Sequence, residues 1–285
     1  MDFSLLLLPV GIVVVVGLMV GLVLTIASIV MAVPVNEKEQ ELIEILPGAN
    51  CGACGYSGCQ GYANALAEGN TANCSLCSPG GKSVAAQIAT CLGLNPPTGG
   101  HQLTAVVQCR GTCDKTQNRV RYQGVHTCQM ASALLGGPGS CQEGCLGYGD
   151  CVRACPYDAI RLEDGVAMVD PRLCRACKIC VAVCPKHIIA MIPLDKKNAV
   201  NLCNNHEKGA LAKKQCAAAC IGCSLCAKKC PKDCIKVERF NATVDPELCV
   251  GCHQCVKACP TGSMQMMPAF AVENLGEVKI KQKVS

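Results

Sequence analysis

The chain has 285 residues, a formal charge of +5, 28 cysteines, no tryptophan and only 3% aromatic residues. So few large apolar side chains exclude several conventional cores, and bound metal must supply part of the cohesion. A secreted disulfide framework is disfavoured because the cysteines recur in one ordered pattern, and nucleic-acid binding because no recognition motif accompanies the bases.

No charged residue occurs between Asp2 and Glu37, and Leu5–Val33 is almost wholly apolar. That exceeds the ~20 residues needed to cross a bilayer. The short head Met1–Ser4 lacks the Lys or Arg of a signal peptide. Residues 1–34 are therefore expected to form one retained transmembrane helix. All Lys and Arg follow it, which predicts an outside N-terminus and a cytoplasmic body in the cell membrane. Reduced thiols fit the same side.

Residues 35–98 are expected to form a small [4Fe–4S] domain. Glu37–Leu46 is predicted as a short amphipathic helix that Pro47 and Gly48 end. Cys51, Cys54 and Cys59 follow, interleaved with glycines that let the backbone fold closely around a cluster. Cys77 on a Ser-Pro-Gly-Gly turn is the expected fourth ligand, with Cys74 as the alternative. Three grouped cysteines and one distant partner suit a cubane better than zinc, which remains the other reading. Gly80-Gly81-Lys82-Ser83 lacks the earlier glycine of a phosphate loop and reads as a turn. The turn-rich stretch Thr98–Gly100 is expected to mark a domain boundary.

Residues 99–140 are expected to connect that domain to the rest. Cys109, Cys113 and Cys128 lie here, and with Cys203 or Cys216 they are candidates for a sixth cluster. The alternative is that they are small buried hydrophobes. Cys91 and Cys234 read that way, Cys234 standing where an alanine would fit. An iron content of about 20 per chain would exclude the sixth cluster.

The second half repeats a word of cysteines ending in Cys-x3-Cys-Pro. Its copies start at Cys141, Cys174, Cys220 and Cys249, and the last three follow the spacing that bacterial ferredoxins use for [4Fe–4S] clusters. The first, Cys141-x3-Cys145-x5-Cys151-x3-Cys155, is stretched, so Cys141 is the least secure member and Cys109 or Cys113 could displace it. In two-cluster ferredoxins the fourth cysteine crosses to the other cluster. That predicts Cys141, Cys145, Cys151 and Cys184 on one cluster and Cys174, Cys177, Cys180 and Cys155 on its neighbour. It likewise predicts Cys220, Cys223, Cys226 and Cys259 together, and Cys249, Cys252, Cys255 and Cys230 together. Residues 141–200 and 201–285 become ferredoxin modules 1 and 2. Alternating runs around Glu163-Asp164-Gly165 predict a β-hairpin, repeated by Ile235–Val237 and Ala242–Val244.

The expected class is α+β, small and cluster-dominated: one transmembrane helix, a small [4Fe–4S] domain and tandem bacterial two-cluster modules. At least five clusters, and six with the extra set, are expected. At roughly −2 per ligated site, five would turn +5 into about −5. The histidines form no metal pair, the methionines at 264, 266 and 267 read as core or lid, and no nucleotide fingerprint follows a strand.

The order of parts resembles the B subunit of the Rnf complex across essentially the whole chain. Cys51–Cys59 with Cys77, and Gly136–Cys141 through Cys155–Ile160, carry the resemblance most specifically; two ferredoxin modules match the longer form. The resemblance implies a membrane-bound ferredoxin:NAD+ oxidoreductase coupled to Na+ or H+ transport. This subunit would take electrons from soluble ferredoxin and pass them to membrane, flavin and iron–sulfur subunits, with the NAD site elsewhere. No catalytic residue is expected on this chain. Lys196–Lys197, Lys213–Lys214 and Lys228–Lys229 could steer an acidic ferredoxin. Other readings are the electron-input subunit of a different redox complex and a membrane-anchored cluster sensor or scaffold.

Overall fold

The computed structural model describes residues 3–30, 36–95, 103–194 and 196–267. Helix α1 (Phe3–Val30) has no acidic residue in its first turn and no basic residue in its last. Its 28 residues rise about 42 Å, more than the ~30 Å hydrocarbon thickness. The stretch Gly11–Ser28 is apolar enough to cross a membrane, and none of it is buried among the described residues. The end of the expected span, Met31–Val33, and the expected boundary Thr98–Gly100 lie outside the described residues.

Three helices follow: α2 (Glu37–Ile45), α3 (Cys59–Ala67) and α4 (Gly81–Leu92). The Asn36 side chain accepts the Lys38 N–H and caps α2, and Glu37 and Glu39 complement the positive end of its dipole. Leu42, Tyr62, Leu66, Ile88 and Ala89 meet in the shared core. Helix α4 corrects the expectation of a simple turn at Gly80–Ser83. Ala85, Ile88 and Ala89 recur at helical spacing and are buried, so packing carries the helix back through Gly81. Gly93 closes it in the left-handed conformation (φ 67°).

Two strand units with the same topology come next. In the first, β1 (Leu103–Val107), α5 (Cys128–Ala133) and α6 (Asp150–Ala154) precede the hairpin of β2 (Ile160–Glu163) and β3 (Val166–Val169). Helix α7 (Ile179–Val183) and β4 (Ile189–Pro193) complete it, with β4 antiparallel to β1 from Leu103↔Pro193 to Val107↔Ile189. The segment expected to be a connection thus supplies an edge strand of the first unit, because Ala105, Val106 and Val107 are apolar and buried there.

In the second unit, β5 (Asn198–Asn201), α8 (Gly209–Gln215) and α9 (Leu225–Lys228) precede the hairpin of β6 (Ile235–Glu238) and β7 (Asn241–Val244). Then α10 (Gln254–Ala258) leads to β8 (Met264–Met267), antiparallel to β5. Both hairpins stand where the alternating sequence predicts them. Met264, Met266 and Met267 are buried core residues. Val106 and Ile192 of one unit pack with Val200, Leu202 and Met267 of the other, which joins the two.

The hairpin turns differ in chemistry. The first places Asp164 and Gly165 at φ 46° and 82°, the second Arg239 and Phe240 at 45° and 60°. Left-handed backbone suits Asn or Gly and strains a bulky side chain. Arg239→Asn/Phe240→Gly is expected to stabilise the protein by about 1 kcal/mol. Denaturant unfolding followed by visible absorbance checks this, and an unchanged or lower midpoint would refute it.

Candidate iron–sulfur sites

The four cysteine words share one backbone frame. Two residues after the first cysteine the chain turns left-handed, at Gly147, Ala176, Gly222 and Gly251 (φ 74°, 53°, 65° and 67°). Two residues later it does so again, at Gly149, Lys178, Ser224 and His253 (φ 77°, 61°, 59° and 62°). The third cysteine then enters a short helix and is buried: Cys151, Cys180, Cys226 and Cys255. Four non-glycine residues holding this conformation show a frame imposed by its surroundings rather than by local preference.

That frame changes the reading of the first word. Aligned on that frame, a word of ordinary length runs from Cys145, and Tyr148 occupies the place held by Cys177, Cys223 and Cys252 in the others. Cys128, at the start of α5, faces the same cavity. Cys128, Cys145, Cys151 and Cys184 line a cavity of about 350 Å³ whose wall does not include Cys141. Tyr148 stacks on His126, with centroids 5.6 Å apart, and lies 5.7 Å from Tyr122, which fastens the segment before Cys128. The Gln129 N–H donates to Asp150 Oδ2 at 3.0 Å and ties α5 to α6.

The second cavity of this unit, about 320 Å³, is lined by Cys155, Cys174, Cys177 and Cys180. In the second unit, Cys220, Cys223, Cys226 and Cys259 line about 320 Å³. Cys230, Cys249, Cys252 and Cys255 line about 310 Å³, together with Cys234. In both units the fourth cysteine of one word sits with cysteines of the other, because the short helix ends at or just before that cysteine and Pro turns the chain across.

Cys141 belongs to a different group, between the units. Strand β1 leads to Cys109 and β5 to Cys203, and these two form an isolated antiparallel bridge. Cys216 follows α8. Cys141 raises the thiols of Cys109, Cys203 and Cys216 alike, so it stands among all three. A Cβ on Gly111 would lie 3.4 Å from Cys216 Sγ and 3.6 Å from Cys109 Sγ, so the bare glycine leaves room between the sulfurs. The buried Asn205 donates from Nδ2 to Cys141 Sγ at 3.4 Å and to Gln215 Oε1 at 2.8 Å. Of the residues expected in an extra set, the structure gathers Cys109, Cys203 and Cys216. Cys128 stands in the first unit, and the exposed Cys113 thiol lies against Gly165 of the hairpin turn.

Near the N-terminus, Cys77 faces Cys59, Cys51 and Cys54, and the Gly80 N–H donates to it. The Cys59 N–H donates to Asn50 Oδ1 at 2.8 Å, and only a glycine fits at Gly58 (φ 123°), where a Cβ would lie 2.8 Å from that oxygen. Cys74 turns instead toward the Ala72 carbonyl, inside the core of α2–α4. Cys91 is partly buried against the same core.

Burial is the first cause raising the thiols of Cys77, Cys145, Cys177, Cys216 and Cys255. It pushes Cys109 and Cys180 up to about 12, and Cys151 to about 12 with help from Cys145 and Cys128. Cys203 and Cys226 reach about 11. Thiols so placed ionise at neutral pH only beside strong positive charge, which the iron of a cluster supplies. Among the described residues no three His, Cys, Asp or Glu converge closely enough for a single ion. The four quartets of the two strand units instead surround open volumes, as a cubane requires.

Successive quartets are close enough to act on one another. Cys51 raises Cys177, and Cys180 raises Cys151. The Cys145 N–H donates to Cys109 Sγ at 3.3 Å, and the Cys220 N–H donates to Cys203. Helix α9 carries Cys226 and ends just before Cys230, so one helix serves two cavities.

Known families match along the same line. An Fe-S cluster family model covers residues 46–79, a 4Fe-4S dicluster domain 173–234, and a 4Fe-4S binding domain 242–265. The dicluster match runs from the second word of the first unit into the first word of the second. The B subunit of the Na+-translocating ferredoxin:NAD+ oxidoreductase complex of Acetobacterium woodii is 40% identical over 84% of this chain and 71% of its own. Its counterpart in the proton-translocating complex of Clostridium ljungdahlii is 38% identical over 82% of each chain. The chain belongs to the family of Rnf B subunits. The B subunit of the ion-translocating oxidoreductase complex of Methanosarcina acetivorans, 36% identical over 81% of this chain and 87% of its own, extends the match. As a member of the Rnf B-subunit family, the chain is an iron–sulfur electron-transfer subunit of a ferredoxin:NAD+ oxidoreductase complex.

Proposed function

We propose that the chain holds six [4Fe–4S] clusters, one in each cysteine quartet, and relays single electrons along them from reduced ferredoxin to partner subunits. The observation that supports this reading is the succession of quartets, each acting on the next through charge, a hydrogen bond to sulfur or a shared helix. Bound clusters would supply one-electron redox steps, at potentials set by burial and hydrogen bonds to sulfur. The four cysteines outside the quartets are Cys74, Cys91, Cys113 and Cys234. The two strand units would be tandem two-cluster modules, extending from Leu103 and Asn198 rather than from Cys141 and residue 201. Helix α1 would be a single membrane anchor, with the basic residues that follow it holding the body in the cytoplasm.

The ferredoxin would dock on the second unit. Lys213, Lys214, Lys228 and Lys229 are exposed there, as is Cys223, which brings that cavity to the surface. Lys196 is a weaker candidate because Glu247 Oε2 pairs with it at 2.7 Å. Reversing charge at Lys213, Lys214, Lys228 and Lys229 is expected to slow reduction by ferredoxin about tenfold at low salt and to flatten its salt dependence. Stopped-flow bleaching of cluster absorbance measures both, and an unaltered salt-dependent rate would refute docking there.

A further inference from the structure

Four residues beyond the fourth cysteine of each word, a side chain lines the cavity that this cysteine enters. These are Ala159, Ile188, Cys234 and Ser263. The backbone is the same at all four. Each carbonyl accepts one N–H, from Asp170, Gln108, Asp245 and Leu202 respectively, at 2.7–2.8 Å. All four side chains are buried. Only their chemistry differs, and it differs by unit. Ala159 and Ile188 of the first unit have no donor. Ser263 Oγ lies 3.4 Å from Cys259 Sγ, with Thr261 Oγ1 at 3.8 Å, and Cys234 Sγ lies 3.3 Å from Cys230 Sγ.

A ligating cysteine is a thiolate with no proton to give, so the hydroxyl and the free thiol must donate. A donor aimed at ligand sulfur favours the more negative, reduced cluster and raises its potential. We propose that Cys234 and Ser263 are tuning residues that hold the two clusters of the second unit at higher potential than those of the first. Electrons on the chain then collect in the second unit at equilibrium. The inference rests on the ligand quartets proposed above.

The test is an EPR-monitored redox titration of the full-length, cluster-loaded protein. Ser263→Ala and Cys234→Ala should each lower one midpoint so that one-electron uptake weakens about tenfold, ~59 mV. Ser263→Thr and Cys234→Ser, which keep a donor, should stay near the wild-type values, and Ala159→Ser should raise one midpoint of the first unit. An exchangeable-proton hyperfine coupling, lost on D2O exchange, should disappear from one cluster in Ser263→Ala. Unchanged midpoints in the alanine variants at full iron would overturn the proposal. So would loss of about four irons, which would make the residue a ligand or a structural support. Failure of the quartets themselves would show separately, as wild-type iron well below about 24 per chain.

Discussion

Replacing Tyr148 with cysteine is expected to let the protein dispense with Cys128. The left-handed positions of Gly147 and Gly149 put Tyr148 where the other words carry Cys177, Cys223 and Cys252. Cys128 reaches the same cavity from outside the word, on α5. Cys128→Ala alone should lose about four irons and one cubane signal. Cys128→Ala/Tyr148→Cys should regain both, since the frame that delivers the second cysteine is already formed. Cys141→Ala should also lose about four irons, but from the group of Cys109, Cys203 and Cys216, so Tyr148→Cys should leave that loss uncorrected. Iron analysis with EPR spin quantitation separates these outcomes. Rescue of Cys141→Ala instead of Cys128→Ala would restore the stretched word and refute the exchange.

Tyr148 and Cys128 mark the limit of what is legible along the chain. Spacing within a word is local, because a cysteine three residues on is delivered by a fixed turn and one four residues on by the end of a short helix. The hairpins at Asp164 and Arg239 follow equally local alternation. Cys128 and Cys141 are set by contacts far apart in sequence: the bridge between Cys109 and Cys203, the Tyr148–His126 stack, and the Gln129–Asp150 hydrogen bond. No single-word pattern encodes those. One signal was nevertheless present, since Cys145 to Cys151 spans the same number of residues as Cys220 to Cys226. Counting back from the proline-linked end, rather than forward from the nearest cysteine, aligns Tyr148 with Cys223 and leaves Cys141 over. Helix α4 is illegible for a different reason: its glycine start resembles a turn, and only the buried face of Ile88 and Ala89 overrides it.

Cys203→Ser is expected to divide the electron path in two. Cys109 and Cys141 come from the first unit's side of the chain and Cys203 and Cys216 from the second's, so this quartet belongs to neither unit alone. Its contacts run both ways: Cys109 Sγ accepts the Cys145 N–H at 3.3 Å, and Cys203 accepts the Cys220 N–H. The four cavities within the units have complete walls without it. Removing one of its thiols should therefore cost about four irons while the clusters on either side assemble. Electron transfer weakens steeply with the gap to be crossed, and without this quartet the gap spans the interface formed by Val106, Ile192, Val200, Leu202 and Met267. With ferredoxin as donor, the second unit should be reduced at the wild-type rate, and the first unit and the Cys51–Cys77 site more slowly by an order of magnitude or more. Rapid-freeze EPR resolves the two populations. Uniform reduction of all remaining clusters would mean that electrons bypass the quartet, and uniform slowing that ferredoxin delivers them to it directly.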